Sequence, residues 1–176
     1  LFIPVILLSY LAIHFGIIAV NSEINIAKAQ LAQKKKDWNK MEEYALKGYS
    51  IFAPIEFKHS FPVVMYTGIA KYNKGNYREA LTYFEKSYKQ HPTNVSVLNN
   101  LGCVYGVIKV PDSSIIYYSK TLEIFAHYEI GQLNLSKAYY FSNDFKNAYQ
   151  TILLCDPKST NQEIHRLRKF LEKKLN

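Results

Sequence analysis

The stretch Lys71–Asn94, "KYNKGNYREALTYFEKSYKQHPTN", orders small and large side chains in a way that a single amphipathic helix does not require. Gly75 suits a tight turn, a small residue at Ala80 precedes the ring of Phe84, and Pro92 follows. Proline ends the second helix because it lacks an N–H group and its ring clashes with the preceding turn. The order predicts a closely packed helical hairpin, with the large ring filling the space between one hairpin and the next.

The same order returns along the chain at a fixed period. Gly68, Gly102 and Ser136 are successively 34 residues apart. A period of this length is typical of stacked helical hairpins, which bury their apolar faces against one another. In the first hairpin we expect helix A over Pro62–Lys74 and helix B over Tyr77–Gln90.

The segment 61–94 resembles the tetratricopeptide repeat family through its Gly, Gly-Asn-Tyr, Ala-Leu, Phe and Pro positions. Further copies cover 95–128, where "KVPDS" departs from the family's turn, and 129–157. A degenerate copy at 22–54 has Trp38 at the position of Tyr77. The resemblance implies an all-α fold, in which antiparallel helix pairs form a right-handed superhelix over residues 22–157.

Residues 158–176 follow the last repeat. Thr160 is positioned to cap a helix, with Glu163 completing a capping box three residues later. One apolar stripe of that helix is formed by Ile164, Leu167, Phe170 and Leu171. We expect a capping helix that covers the end of the repeat array, since solenoids need a polar outer face there.

Residues 1–20, "LFIPVILLSYLAIHFGIIAV", contain no acidic or basic side chain. About 20 apolar residues form a helix that crosses a hydrocarbon core of about 30 Å, so we expect one transmembrane helix before the repeats. The first repeat helix, 22–35, could continue it. A cleaved signal peptide is the alternative, but the basic leading region is missing. Lysines at 34–36 favour a cytoplasmic repeat region at an inner or plasma membrane, with a periplasmic one as the alternative.

Ligands of tetratricopeptide repeats bind the concave face, which the A helices line. The resemblance therefore implies a protein or peptide partner, and the apolar and aromatic residues expected there fit a peptide with apolar anchors. Packing of these side chains between repeats is the alternative. The implied partner-binding residues are Met65, Ile69, Tyr72, Asn73, Asn99, Cys103, Leu133, Lys137 and Tyr140.

Chemistry within this chain has little support in the sequence. The five histidines do not lie at metal-ligand spacing, and no glycine-rich phosphate loop or nucleophile motif occurs. Cys103 and Cys155 fall in apolar patterns typical of buried thiols. The net charge of +8 is spread along the chain, which argues against nucleic acid as a partner. We expect no catalytic residue, cofactor, metal or small-molecule substrate.

These features favour a membrane-tethered interaction scaffold. Because the chain starts at Leu1 without methionine, we expect it to be a piece of a longer protein. An apolar helix, a degenerate repeat and three further repeats also resemble the C-terminal part of bacterial O-antigen ligase or polymerase proteins, which transfer sugars from lipid carriers. The chain would then be a regulatory or assembly tail whose catalytic part lies upstream. A lipid-anchored or periplasmic repeat protein is a third possibility.

Overall fold

The computed structural model describes residues 2–49 and 63–175, which form nine helices and no strand. They divide into two compact units, unit 1 over Leu1–Gln90 and unit 2 over His91–Asn176. Unit 1 contains the hairpins α1–α2 and α3–α4, and unit 2 contains the hairpins α5–α6 and α7–α8 followed by α9. The helices are α1 (Phe2–Lys34), α2 (Trp38–Gly48), α3 (Val63–Asn73), α4 (Tyr77–Gln90), α5 (Val95–Val107), α6 (Pro111–Ile124), α7 (Glu129–Phe141), α8 (Phe145–Ile152) and α9 (Gln162–Leu175).

The two helices of each hairpin are joined by the same backbone turn. The N–H of Asn76 bonds to the carbonyl of Lys71 at 2.9 Å, and equivalent bonds close the other three turns. This is the Schellman arrangement, which satisfies carbonyls that a helix end leaves unpaired. It needs a left-handed residue, and these are Lys36 (φ 56°), Gly75 (φ 83°), Lys109 (φ 62°) and Asn143 (φ 61°). The "KVPDS" segment therefore turns as the glycine-containing repeat does.

Close contact between an aromatic ring and a glycine defines two of the hairpins. A Cβ atom at Gly68 would lie 2.6 Å from Cε1 of Phe84, and one at Gly102 would lie 2.6 Å from Cε1 of Tyr118. The ring of Phe84 thus lies against the glycine of its own hairpin, a contact that the sequence-based expectation did not include. A glycine is required there because any side chain would collide with the ring.

Buried hydroxyl groups link the helices of the two unit 2 hairpins. Ser114 Oγ on α6 donates to the carbonyl of Gly102 on α5 at 2.8 Å. In the next hairpin, Ser136 Oγ on α7 donates to the carbonyl of Ala148 on α8 at 2.7 Å. The two bonds join equivalent positions of the repeat, but the donating serine lies on the second helix of one hairpin and on the first helix of the other. Both buried hydroxyls are satisfied within their own hairpin, as buried polar groups require.

Helix α1 is unbroken from Phe2 to Lys34, so the expected first repeat helix is its second half. Ile26, Ala29 and Ala32 lie in the unit 1 core together with Met41 and Ala45 of α2. By contrast, most side chains from residue 4 to residue 20 are exposed. Among the described residues, α1 is the one helix long and apolar enough to cross a bilayer, judged by length and composition alone.

Two expected boundaries fall on parts of the chain that the structure does not describe. Residues 50–54 of the degenerate copy, and Pro62 at the expected start of helix A, lie outside the described residues. The described part of that helix, α3, ends at Asn73, one residue before the expected end.

Helix α9 covers the end of unit 2 with an apolar stripe. Ile164 and Leu171 are buried together with Ile152 and Cys155 of the preceding segment. The guanidinium of Arg168 donates to the carbonyls of Ile152 and Cys155, at 3.3 and 3.0 Å, which satisfies carbonyl groups at the end of α8 and just beyond it.

The start of α9 corrects the predicted capping residue. The Asn161 side chain accepts from the N–H of Glu163 at 3.0 Å, so Asn161 caps the helix in place of Thr160. Glu163 does not complete a capping box there. Its carboxylate instead pairs with Lys137 of α7 at 2.6 Å.

Candidate partner-binding site

The predicted residues of unit 1 lie along α3 in unlike surroundings. Met65 is buried at 2% exposure, and Ile69 is half-buried against the unit 1 core. The ring of Tyr72 meets Tyr77 edge-on, with 5.3 Å between their centroids. Asn73 is exposed, and its amide donates to the carbonyl of Ile69 at 2.8 Å. Of these residues, Tyr72 and Asn73 are the ones best placed to reach a partner.

A cluster of ion pairs joins three helices of unit 1. Lys71 Nζ lies 2.9 Å from Glu42 and 2.7 Å from Glu79, and Lys74 Nζ lies 2.9 Å from Glu42. Hydrogen bonds to Glu79 and Glu42 raise the pKa of Lys71. Burial opposes ionisation of Glu42, but bonds from Lys71 and Lys74 outweigh it, and the pKa of Glu42 is lowered. The ion pairs keep these side chains charged and bound to one another. The cluster therefore contributes to packing between the helices more than it offers a charged group for binding a partner.

Polar side chains meet on α5 and α7 in unit 2. The amide of Asn134 donates to Asn99 Oδ1 at 3.2 Å, which joins the two helices. Tyr118 donates its hydroxyl hydrogen to Cys103 Sγ at 3.1 Å. Burial raises the pKa of the Cys103 thiol, which keeps it protonated at neutral pH. The amide of Asn99 also donates to Cys103 Sγ at 3.9 Å, so the two residues are brought together, with Cys103 in a structural role.

Further along α7, the predicted residues face α9. Lys137 is paired with Glu163, as described above. The Tyr140 ring packs edge-on against Phe170 at 5.6 Å and also contacts Phe145 at 5.8 Å between centroids. Leu133 is buried at 4% exposure in the same core. Lys137 and Tyr140 are half-buried, whereas Leu133, like Met65 in unit 1, is covered by the protein's own packing.

An apolar cavity of about 500 Å³ opens where α5, α6 and α7 meet. Phe141, the last residue of α7, lies at its rim and is 74% exposed. Val107 is exposed at the same rim, and Lys109 adds a positive charge. The lining residues are Gly106, Val107, Lys109, Pro111, Ser114, Ala138 and Phe141. The cavity can accept an apolar side chain of a partner, and the exposed ring of Phe141 can pack against that side chain.

Val107 and Phe141 were missed by the sequence-based prediction. A signal for them was present, because they occupy in their repeats the position that Asn73 occupies in the first. Successive 34-residue steps from Asn73 lead to Val107 and then to Phe141. Applying the same helix positions to every copy would have included both residues.

Groups suited to metal binding are not clustered in the residues that the structure describes. Within residues 2–49 and 63–175, no three His, Cys, Asp or Glu side chains come together as ligands. Cys103 and Cys155 are both free thiols, and the burial of Cys155 raises its pKa to about 11.

Comparison with known proteins identifies the fold. The sequence matches no protein-family model and no curated protein. Among solved structures, a tetratricopeptide repeat protein from Parabacteroides merdae is similar, with a TM-score of 0.72 and 18% identity over 87% of this chain and 59% of that one. MamA from Desulfovibrio magneticus, residues 41 to the end, gives a TM-score of 0.72 and 16% identity over 88% of this chain and 85% of that one. A point mutant of MamA gives a TM-score of 0.70 and 17% identity, over 89% of this chain and 88% of that one. The chain has the all-α hairpin fold of tetratricopeptide repeat proteins.

Proposed function

We propose that this chain is a membrane-tethered scaffold that docks a peptide or protein partner through unit 2. The exposure of Phe141 beside the apolar cavity is the observation that carries the proposal. A large ring held in water next to an apolar cavity is typical of a surface that a partner covers. Aromatic residues at the centre of such surfaces often dominate binding energy.

The charge at the cavity narrows the class of partner. Lys109 lies on the rim, and the remaining lining is mainly apolar. A segment with an apolar anchor next to an acidic residue would fill the cavity and pair with the lysine. Asn99 and Asn134 extend polar groups along α5 and α7, which suits the backbone of the same segment.

Site-specific photo-crosslinking tests the docking surface. We expect p-benzoylphenylalanine at position 141 to give a discrete adduct in the native cells, from which mass spectrometry identifies the partner. Ile116 on α6 is the matched control, because it is an apolar residue 52% exposed and outside the cavity lining. The same probe there should give no such adduct. Val107→Asp, at the exposed rim, should remove the adduct at position 141. Equal adducts at both positions, or none at 141, would refute this docking site.

The tether is proposed for the apolar first half of α1. Leu8 and Ile13 are among its exposed aliphatic side chains, and a surface of this kind is stable in lipid. The wild-type chain should stay in the membrane pellet after an alkaline carbonate wash. Replacing both residues with lysine should release it, because each lysine at the centre of a span costs about 2.5–3.5 kcal/mol. Leu31→Lys, beyond the apolar stretch, is the control and should stay in the pellet. Release of the wild type would rule the tether out.

A further inference from the structure

One end of unit 1 packs around α1 at the point where its apolar stretch stops. Ile18 and Ala19, which belong to that stretch, are half-buried against the unit 1 core. Ser22 is buried, and its hydroxyl donates to the carbonyl of Gly48 at the end of α2. A Cβ atom at Gly48 would lie 3.1 Å from Cγ1 of Ile26. The C-terminal end of α2 therefore lies against α1 immediately after the apolar stretch.

The height of this contact follows from helix geometry. Ser22 is two residues beyond Val20, which is about 3 Å along a helix axis. The headgroup layer on each side of a bilayer is about 5–8 Å thick, the difference between the full thickness and the hydrocarbon core. If α1 crosses the bilayer with residues 1–20, Gly48 and Tyr49 lie at the level of the headgroups.

The side chains at this end suit that level. Leu46, Tyr49 and Ile24 are exposed. Lys86, near the end of α4, holds its ammonium 4.4 Å from the centre of the Tyr49 ring. Tyrosine is enriched at membrane interfaces because its ring is apolar and its hydroxyl is polar. A lysine next to it can place its charge among lipid phosphates.

We propose that this end of unit 1, formed by Ile24, Leu46, Tyr49 and Lys86, docks into the headgroup layer of the bilayer that α1 spans. Tyr49 and Leu46 enter the boundary between headgroups and acyl chains, and Lys86 contacts phosphate. The proposal rests on the proposed tether and adds a second contact with the same membrane. The first hairpins would then be held on the bilayer surface by their own side chains as well as by α1.

Tryptophan depth measurements on the full chain in lipid nanodiscs test this contact. The nanodiscs contain phosphatidylcholine and phosphatidylglycerol, with either a headgroup or an acyl-chain nitroxide quencher. Tyr49→Trp is compared with Lys40→Trp, which lies near the other end of α2, nine residues or about 13 Å away. Phe15→Trp, within the apolar stretch, reports on insertion of α1. Native Trp38 is present in all three variants and is subtracted using the wild type, and circular dichroism confirms equal helix content.

The expected result is that the headgroup quencher reduces the emission of the tryptophan at position 49 about twofold and leaves the one at position 40 nearly unchanged. The acyl-chain quencher should act on position 15. Quenching at 15 with equal, weak quenching at 49 and 40 would overturn the docking proposal and leave the tether intact. Absence of quenching at 15 would overturn the tether and the docking proposal with it.

Discussion

The collision between Gly102 and Tyr118 provides a quantitative test of how these hairpins pack. In Gly102→Ala, the new methyl group would lie 2.6–2.8 Å from three ring atoms of Tyr118. That ring is buried and its hydroxyl is bonded to Cys103, so it has little room to move. Overpacking of a core costs about 1–3 kcal/mol. Replacing glycine inside a helix gains about 1 kcal/mol. Because all three contacts are shorter than 3.0 Å, we place the overpacking cost in the upper part of that range, at about 2–3 kcal/mol, and expect a net loss of about 1–2 kcal/mol.

Thermal unfolding in mild detergent, followed by far-UV circular dichroism, measures this loss. For a chain of this size, the expected loss lowers Tm by about 2–8 °C. Gly106→Ala is the matched control on the same helix, because its methyl group would meet only Ser114 Oγ at 3.4 Å. Its stability should be unchanged or higher. The packing argument fails if Gly102→Ala is as stable as the wild type, or if both variants lose the same amount.

A second substitution tests whether the ring is the cause. The third hairpin combines a serine at position 136 with Ile152, where the second combines Gly102 with Tyr118. Tyr118→Ile should therefore relieve the collision that Gly102→Ala creates. The double variant should lose less stability than the sum of the single variants, by about 1–2 kcal/mol. Additive losses would show that the methyl group is not opposed by the ring.

Three further predictions concern charge, burial and capping. Because the pKa of Glu42 is lowered, its ionised carboxylate stabilises the fold above pH 4.5, and this stabilisation is lost as the pH falls through the folded-state pKa. The difference in Tm between wild type and Glu42→Gln should therefore shrink between pH 6 and pH 3, and a constant difference would contradict the ion-pair argument. Cys155, with a pKa raised to about 11, should resist a thiol reagent at pH 8 until the chain is unfolded by denaturant, and rapid labelling of the folded chain would contradict its burial. Asn161→Ala should cost about 1 kcal/mol, whereas Thr160→Ala should cost little, and the opposite ranking would restore the capping box.

Much of the fold follows from the position of small residues and turn residues in the sequence. The period of 34 residues predicts the hairpins, and helix B of the first repeat has the predicted bounds, Tyr77–Gln90. Turn residues were harder to identify. Lys109 takes the left-handed conformation that Gly75 takes, although lysine is disfavoured there by about 1–2 kcal/mol. The packing of α5 against α6 imposes the left-handed conformation of Lys109, and the local composition of the turn does not reveal that conformation.

The proposed binding surface was less predictable from the sequence than the fold. Resemblance places Met65 and Leu133 on the face where ligands bind, yet both are buried by the protein's own packing. Spacing assigns a residue to a side of a helix, but burial depends on which neighbouring side chain is large enough to cover it. For Phe141, the spacing from Asn73 marks its position on the helix, but its 74% exposure beside an apolar cavity does not follow from that spacing.

The unbroken course of α1 has a consequence for changes in chain length. The apolar stretch and the residues that pack against α2 lie on a single helix, with no flexible joint between them. Each residue inserted near position 21 would rotate one part against the other by about 100° and move it by about 1.5 Å. Insertions or deletions there would change the orientation of the first hairpin, while the same change in a surface loop would be absorbed. The number of residues at this junction is therefore constrained by the angle between the apolar stretch and the residues of α1 that pack against α2.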